Sequence, residues 1–105
     1  MSHVLPTTNE DKNELDKIIG KLDRKVESLL NLQNTFKIEI NEGTFYVLKE
    51  LGDGNYLVMD KSSRVYGLIH DPYEVDKIFE NKDDFISALS TKKFNIDDYC
   101  SSKFH

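Results

Sequence analysis

Between residues 10 and 32 apolar side chains recur every third or fourth position. Leu15, Ile18, Ile19, Leu22, Val26, Leu29 and Leu30 share one face of an α-helix, with Asp16, Lys17, Lys21, Asp23, Arg24, Lys25 and Glu27 on the other. Thr8 is placed to cap this helix, with Asp11 three residues on and Glu10 where the helix dipole favours an acid. Gly20 falls inside the pattern at a cost of about 1 kcal/mol relative to alanine, a place for a bend or a close contact. The stripe reads either as the buried face of a helix packed on its own domain or as a short heptad seam to a second copy.

After Asn34 the period changes to two. Phe36, Ile38 and Ile40 alternate with Lys37 and Glu39, the pattern of a half-buried strand. Phe45–Leu51, Tyr56–Met59 and Val65–Ile69 follow, separated by Asn41-Glu42-Gly43, Gly52-Asp53-Gly54-Asn55 and Asp60-Lys61-Ser62-Ser63. Tyr56–Met59 is apolar on both faces and predicts a central strand covered on both sides. Asp71-Pro72 ends the sheet, because proline cannot donate to a ladder. Tyr73–Glu80 fits a short extended piece or a single helical turn. Asn81 caps a helix running to about Ser90 on Phe85, Ile86 and Leu89, and Phe94, Ile96 and Tyr99 dock a last segment. The expected fold is α+β: an N-terminal amphipathic helix, a four-stranded antiparallel meander and one or two C-terminal helices.

At 105 residues the chain has room for one domain, 1–105, with 1–9 and 101–105 expected to be loose. Nineteen acids against fourteen bases give a net charge of −5, which disfavours nucleic-acid binding. A lone cysteine, Cys100, excludes an internal disulfide. With no signal peptide, lipidation box or long apolar run, a soluble cytoplasmic protein is expected, with no membrane partner.

Candidate chemistry is sparse. Gly52-Asp53-Gly54 lacks the strand-to-helix context of a phosphate loop, and Asp53 repels phosphate, so it reads as a turn. His3, His70 and His105 have no metal-ligand spacing among themselves or with Cys100, so no metal or other cofactor is expected. His70-Asp71 is the single acid–base adjacency, and adjacency alone does not make a general base. No catalytic residue is assigned and the chain is read as a non-enzyme.

Charge is the uneven feature. Residues 71–84 hold six acids and two lysines, a net of −4 out of −5. Asp71, Tyr73, Glu74, Asp76, Glu80, Asp83 and Asp84 form the candidate partner-binding set, an acidic stretch with an aromatic anchor, suited to a basic protein.

The order Leu51-Gly52-Asp53-Gly54-Asn55-Tyr56-Leu57-Val58-Met59-Asp60, then Arg64-Val65-Tyr66-Gly67-Leu68-Ile69-His70-Asp71, then Ile78-Phe79-Glu80 through Leu89, resembles the C-terminal half of the SUKH superfamily over roughly residues 43–96. The resemblance implies an α+β fold used for protein–protein binding. Many bacterial members are immunity proteins that neutralise toxins, often nucleases, whose clefts are basic. The expected function is thus a non-enzymatic immunity or inhibitor module; the alternative is a self-assembling structural or regulatory protein using helix 10–32 as an oligomer seam.

Overall fold

A computed structural model describes residues 3–6, 9–32, 35–52, 54–69 and 74–99, and nine elements are assigned among them. They are β1 (His3–Pro6), α1 (Asn9–Ile19), α2 (Arg24–Glu27), β2 (Phe36–Ile40), β3 (Gly43–Gly52), β4 (Asn55–Asp60), β5 (Val65–Ile69), β6 (Glu74–Phe79) and α3 (Lys82–Ser90). A helical turn at 96–99 closes the described chain. The fold is α+β, an open antiparallel sheet with its helices on one face.

The sheet order is β1-β2-β3-β4-β5-β6, a meander in which every sequential pair is antiparallel. The four expected strands are present, and one more flanks them on each side. At the start, His3–Pro6 pairs with Phe36–Glu39, so this part of 1–9 is held in the sheet by its backbone. At the other end the sheet does not stop at Pro72. Glu74–Phe79 takes the extended alternative and pairs with β5, Glu74 facing Ile69 and Asp76 facing Gly67. The pairing skips Ile78, since Tyr66 faces Lys77 and Val65 faces Phe79. That irregularity breaks the two-residue alternation, which is why the strand is hard to read.

The β4–β5 turn is templated by one side chain. Asp60 Oδ1 accepts from the amides of Ser62 and Arg64, both at 2.9 Å. Ser63 takes the left-handed conformation between them (φ 66°).

The expected helix over 10–32 is broken. Gly20 takes φ 76°, and its amide still reaches the Asp16 carbonyl at 2.8 Å, so it terminates α1 as a left-handed cap. The chain then restarts as the single turn α2, where Asp23 Oδ1 accepts from the Lys25 amide. Leu15, Ile19, Val26 and Leu30 are buried against the sheet, whereas Leu29 is 42% exposed. The stripe therefore belongs to the core of its own domain, and no continuous 10–32 helix is available as a seam. The expected Thr8 cap lies outside the described residues, as do positions 101–105.

Two apolar clusters stabilise the sheet. On the helical face Tyr46, Leu48, Leu57, Met59 and Val65 meet Leu15, Ile19, Val26, Phe85, Leu89 and Ile96. On the opposite face Ile38, Phe45, Val47, Val58 and Leu68 are surrounded by Phe36, Ile40, Tyr56, Tyr66 and Val75. Phe36 with Tyr56 and Phe45 with Tyr66 pack edge-to-face there, with centroids 5.3 and 5.2 Å apart. β4 contributes to both clusters, as its unbroken apolar run requires: Leu57 and Met59 to one, Val58 to the other. Each such side chain stabilises by about 1.5–3 kcal/mol.

Candidate functional site at the acidic end of the sheet

Among the described residues, the acids after β5 do not all serve one surface, since Asp76 is engaged by Tyr99. Their placement follows from which elements carry them. Asp71 and Tyr73, with the adjacent His70, lie outside the described residues. Glu74 and Asp76 belong to the edge strand β6, Glu80 to the β6–α3 junction, and Asp83 and Asp84 to the first turn of α3.

Asp76 turns to the helical face of the sheet, directly across from Gly67. Its Oδ2 accepts a hydrogen bond from the Tyr99 hydroxyl at 3.0 Å. The hydroxyl fits because position 67 has no side chain; a Cβ there would overlap it. Burial, then the hydrogen bond and negative charge of Asp76, raise the Tyr99 hydroxyl well above its ordinary value, so it donates across the biological pH range. Tyr99 packs on Phe94, and Phe94 on Phe79 and Phe85, so the C-terminal segment is clamped over β5 and β6. Asp76 thus has a structural task that its sequence context does not reveal.

Asp84 is also engaged. Asn81 Oδ1 accepts from the Asp84 amide at 2.9 Å, and Asn81 Nδ2 donates to Asp84 Oδ2 at 3.3 Å, a reciprocal cap on α3. Asp83 stands beside it, exposed, at the positive end of the helix. Glu80 is exposed and its Oε1 lies 2.6 Å from Lys77 Nζ. The hydrogen bond and charge of Lys77 lower the Glu80 carboxyl below its usual range. A pair this exposed adds little stability.

The second lysine of the stretch is half-buried and turned towards α1. Lys82 Nζ donates to the Ile19 carbonyl at 3.0 Å, an orphan acceptor at the C-terminal end of α1. The ammonium satisfies that carbonyl and complements the negative end of the helix dipole. Among the described residues of 74–84, the exposed charges are thus Glu74, Lys77, Glu80, Asp83 and Asp84, four acids to one lysine.

Lysines gather elsewhere. A groove of about 650 Å³ between α2 and the 89–97 segment has Val26, Leu29, Leu89, Phe94 and Ile96 in its lining, with Lys25, Lys49 and Lys92 and with Asp23 and Asp97. Among the described residues, no three His, Cys, Asp or Glu side chains come together as a metal site, and no helix is long and apolar enough to cross a membrane.

Tyr99, Gly67 and Lys82 are the residues of this region that the sequence does not single out. Tyr99 is legible there only as an apolar docking residue, and Lys82 only as a partial offset to the acids. No family model, curated protein or solved structure matches the chain.

Proposed function

We propose that the chain is a non-enzymatic protein-binding module, an immunity or inhibitor protein that neutralises a basic partner such as a toxin nuclease. The observation that carries this reading is the acidic edge itself. Glu74, Glu80, Asp83 and Asp84 are exposed along β6 and the start of α3, while Lys82 is drawn inward. Acidic surface of this kind attracts a basic cleft, speeds encounter and excludes acidic competitors. The SUKH-like order of turns and strands supports the same class of role. Asp76 is withdrawn from the binding set to its task in the clamp, and Asp84 serves in it alongside its cap.

The test uses the product of the neighbouring coding sequence. That protein is expressed with and without this chain, and its nuclease activity and complex formation are measured at low and high salt. The expected result is stoichiometric inhibition that weakens with salt. The variant Glu74→Gln/Glu80→Gln/Asp83→Asn leaves the clamp and the α3 cap intact. It should bind at least tenfold more weakly at low salt, with a flatter salt dependence. Unchanged affinity in this variant would remove the acidic surface from the mechanism.

A further inference from the structure

The acidic region coincides with an edge of the sheet. Among the described residues, β6 pairs with β5 on one side and ends the strand order on the other. A strand carries two rows of backbone N–H and C=O groups, and an edge strand has one row directed away from its neighbour. The opposite edge among the described residues is β1, which contains Pro6, a residue without a backbone N–H. The β6 edge contains no proline.

Self-pairing is disfavoured by the sequence of β6. Two copies joining edge to edge in antiparallel fashion are related by a two-fold axis through the sheet, and residues facing each other then lie on the same face. The register must therefore centre on a residue, not between two. Centring on Val75 sets Glu74 against Asp76. Centring on Asp76 sets it against itself, and centring on Lys77 sets lysine against lysine. Like charges directly opposed destabilise a sheet. The edge is thus guarded against a second copy but not against a segment of opposite charge.

We propose that β6 takes an extended basic segment of a partner as a seventh strand. This rests on the acidic-edge reading above and deepens it. Backbone hydrogen bonds supply the register, and alternate side chains supply specificity. Glu74 and Asp76 lie on the helical face and Val75 on the other, as their partners Ile69, Gly67 and Leu68 dictate. The matching segment carries Lys or Arg on the helical face, towards Glu74 and the α3 acids, and an apolar side chain on the face of Val75.

The probe is a capped peptide of alternating lysine and valine, as long as β6, titrated into the full chain by NMR. Two further peptides carry N-methyl groups on alternate residues, one on the odd positions and one on the even. Strand addition predicts that one methylated peptide binds at least tenfold more weakly, about 1.4 kcal/mol, because its methyl groups occupy the bonding row, while the other binds like the parent. It also predicts slower amide exchange at alternate β6 residues. Equal binding of all three peptides overturns strand addition and leaves the acidic reading standing. Equal binding of the parent peptide to Glu74→Gln/Glu80→Gln/Asp83→Asn overturns the acidic reading and with it the basic occupant. No binding of the parent peptide, or its shifts confined to the α2–α3 groove, also overturns the proposal.

Discussion

Replacing Gly67 by alanine should unlatch the C-terminal segment. The added Cβ overlaps the Tyr99 hydroxyl and falls 3.1 and 3.3 Å from two further atoms of its ring. The obstacle is therefore a whole ring edge, itself packed on Phe94. Tyr99 has to swing out, and its hydrogen bond to the Asp76 carboxylate is lost. A hydrogen bond to a charged group contributes about 1.5–3 kcal/mol. Alanine recovers about 0.5–1 kcal/mol of backbone entropy relative to glycine in a strand. The net cost is about 0.5–2.5 kcal/mol, a fall of several degrees in Tm for a domain of this size. The assay is a double-mutant cycle by urea unfolding over parent, Gly67→Ala, Tyr99→Phe and the double variant. Removing the hydroxyl removes the closest clash, so Gly67→Ala should cost at least 0.5 kcal/mol less in the Tyr99→Phe background, beyond the scatter of independent sites. Strict additivity would mean that Gly67 is not small to admit Tyr99, and the clamp would be refuted.

Lys82→Met keeps the aliphatic stem but leaves the Ile19 carbonyl without its donor, and should cost about 1–2 kcal/mol, read from the urea midpoint; an equal midpoint would show that water satisfies the carbonyl as well. The alkaline limb of stability should depend on Tyr99. Burial heads the causes that raise the hydroxyls of Tyr46, Tyr66 and Tyr99, so the folded chain holds these protons more tightly than the unfolded one. That contribution is complete below the unfolded tyrosine value of about 10 and is lost as pH rises through the raised folded values. Tyr99→Phe should shallow the loss of stability above about pH 10, and a slope identical to the parent would remove Tyr99 from the account.

What could be read from the chain divides by the range of the interactions. The four inner strands, the Asn81 cap and the buried character of β4 were legible because each is written in local alternation or in a single capping residue. β6 was not, because Asp76 and Lys77 interrupt its apolar positions and the skipped Ile78 shifts their phase. The break at Gly20 was visible as a possibility. The carbonyl it frees at Ile19 is met by Lys82, 63 positions away, which local pattern cannot show. The candidate site followed the same division. Charge counting located the acidic stretch, but it could not tell that Asp76 faces Gly67 rather than solvent, since that orientation is set by the register with β5. Nor could it tell that Tyr99 reaches Asp76 across 23 residues.

These long-range contacts also explain how an edge strand can remain available without endangering the fold. β6 is held from its inner side by β5, through five register positions, and from the helical face by Phe94, Tyr99 and α3. These inner contacts hold the strand in place without a seventh strand, and on the proposed reading a partner added at the outer side leaves them undisturbed. The acids act at two ranges along this edge. Asp76 and Asp84 act within hydrogen-bond distance, fixing the clamp and the start of α3. In the proposed role Glu74, Glu80 and Asp83, exposed on this edge with Glu80 beside Lys77, act at longer range, repelling a second acidic edge and attracting a basic one within a Debye length of about 8–10 Å. Neutralising the second group should leave folding unchanged and alter recognition, whereas removing Asp76 should do the reverse. That separation makes the edge testable as a binding surface: Asp76→Asn retains an acceptor for Tyr99 and should unfold close to the parent, Asp76→Leu should lose the clamp, and neither should change the salt slope of partner binding as Glu74→Gln/Glu80→Gln/Asp83→Asn does.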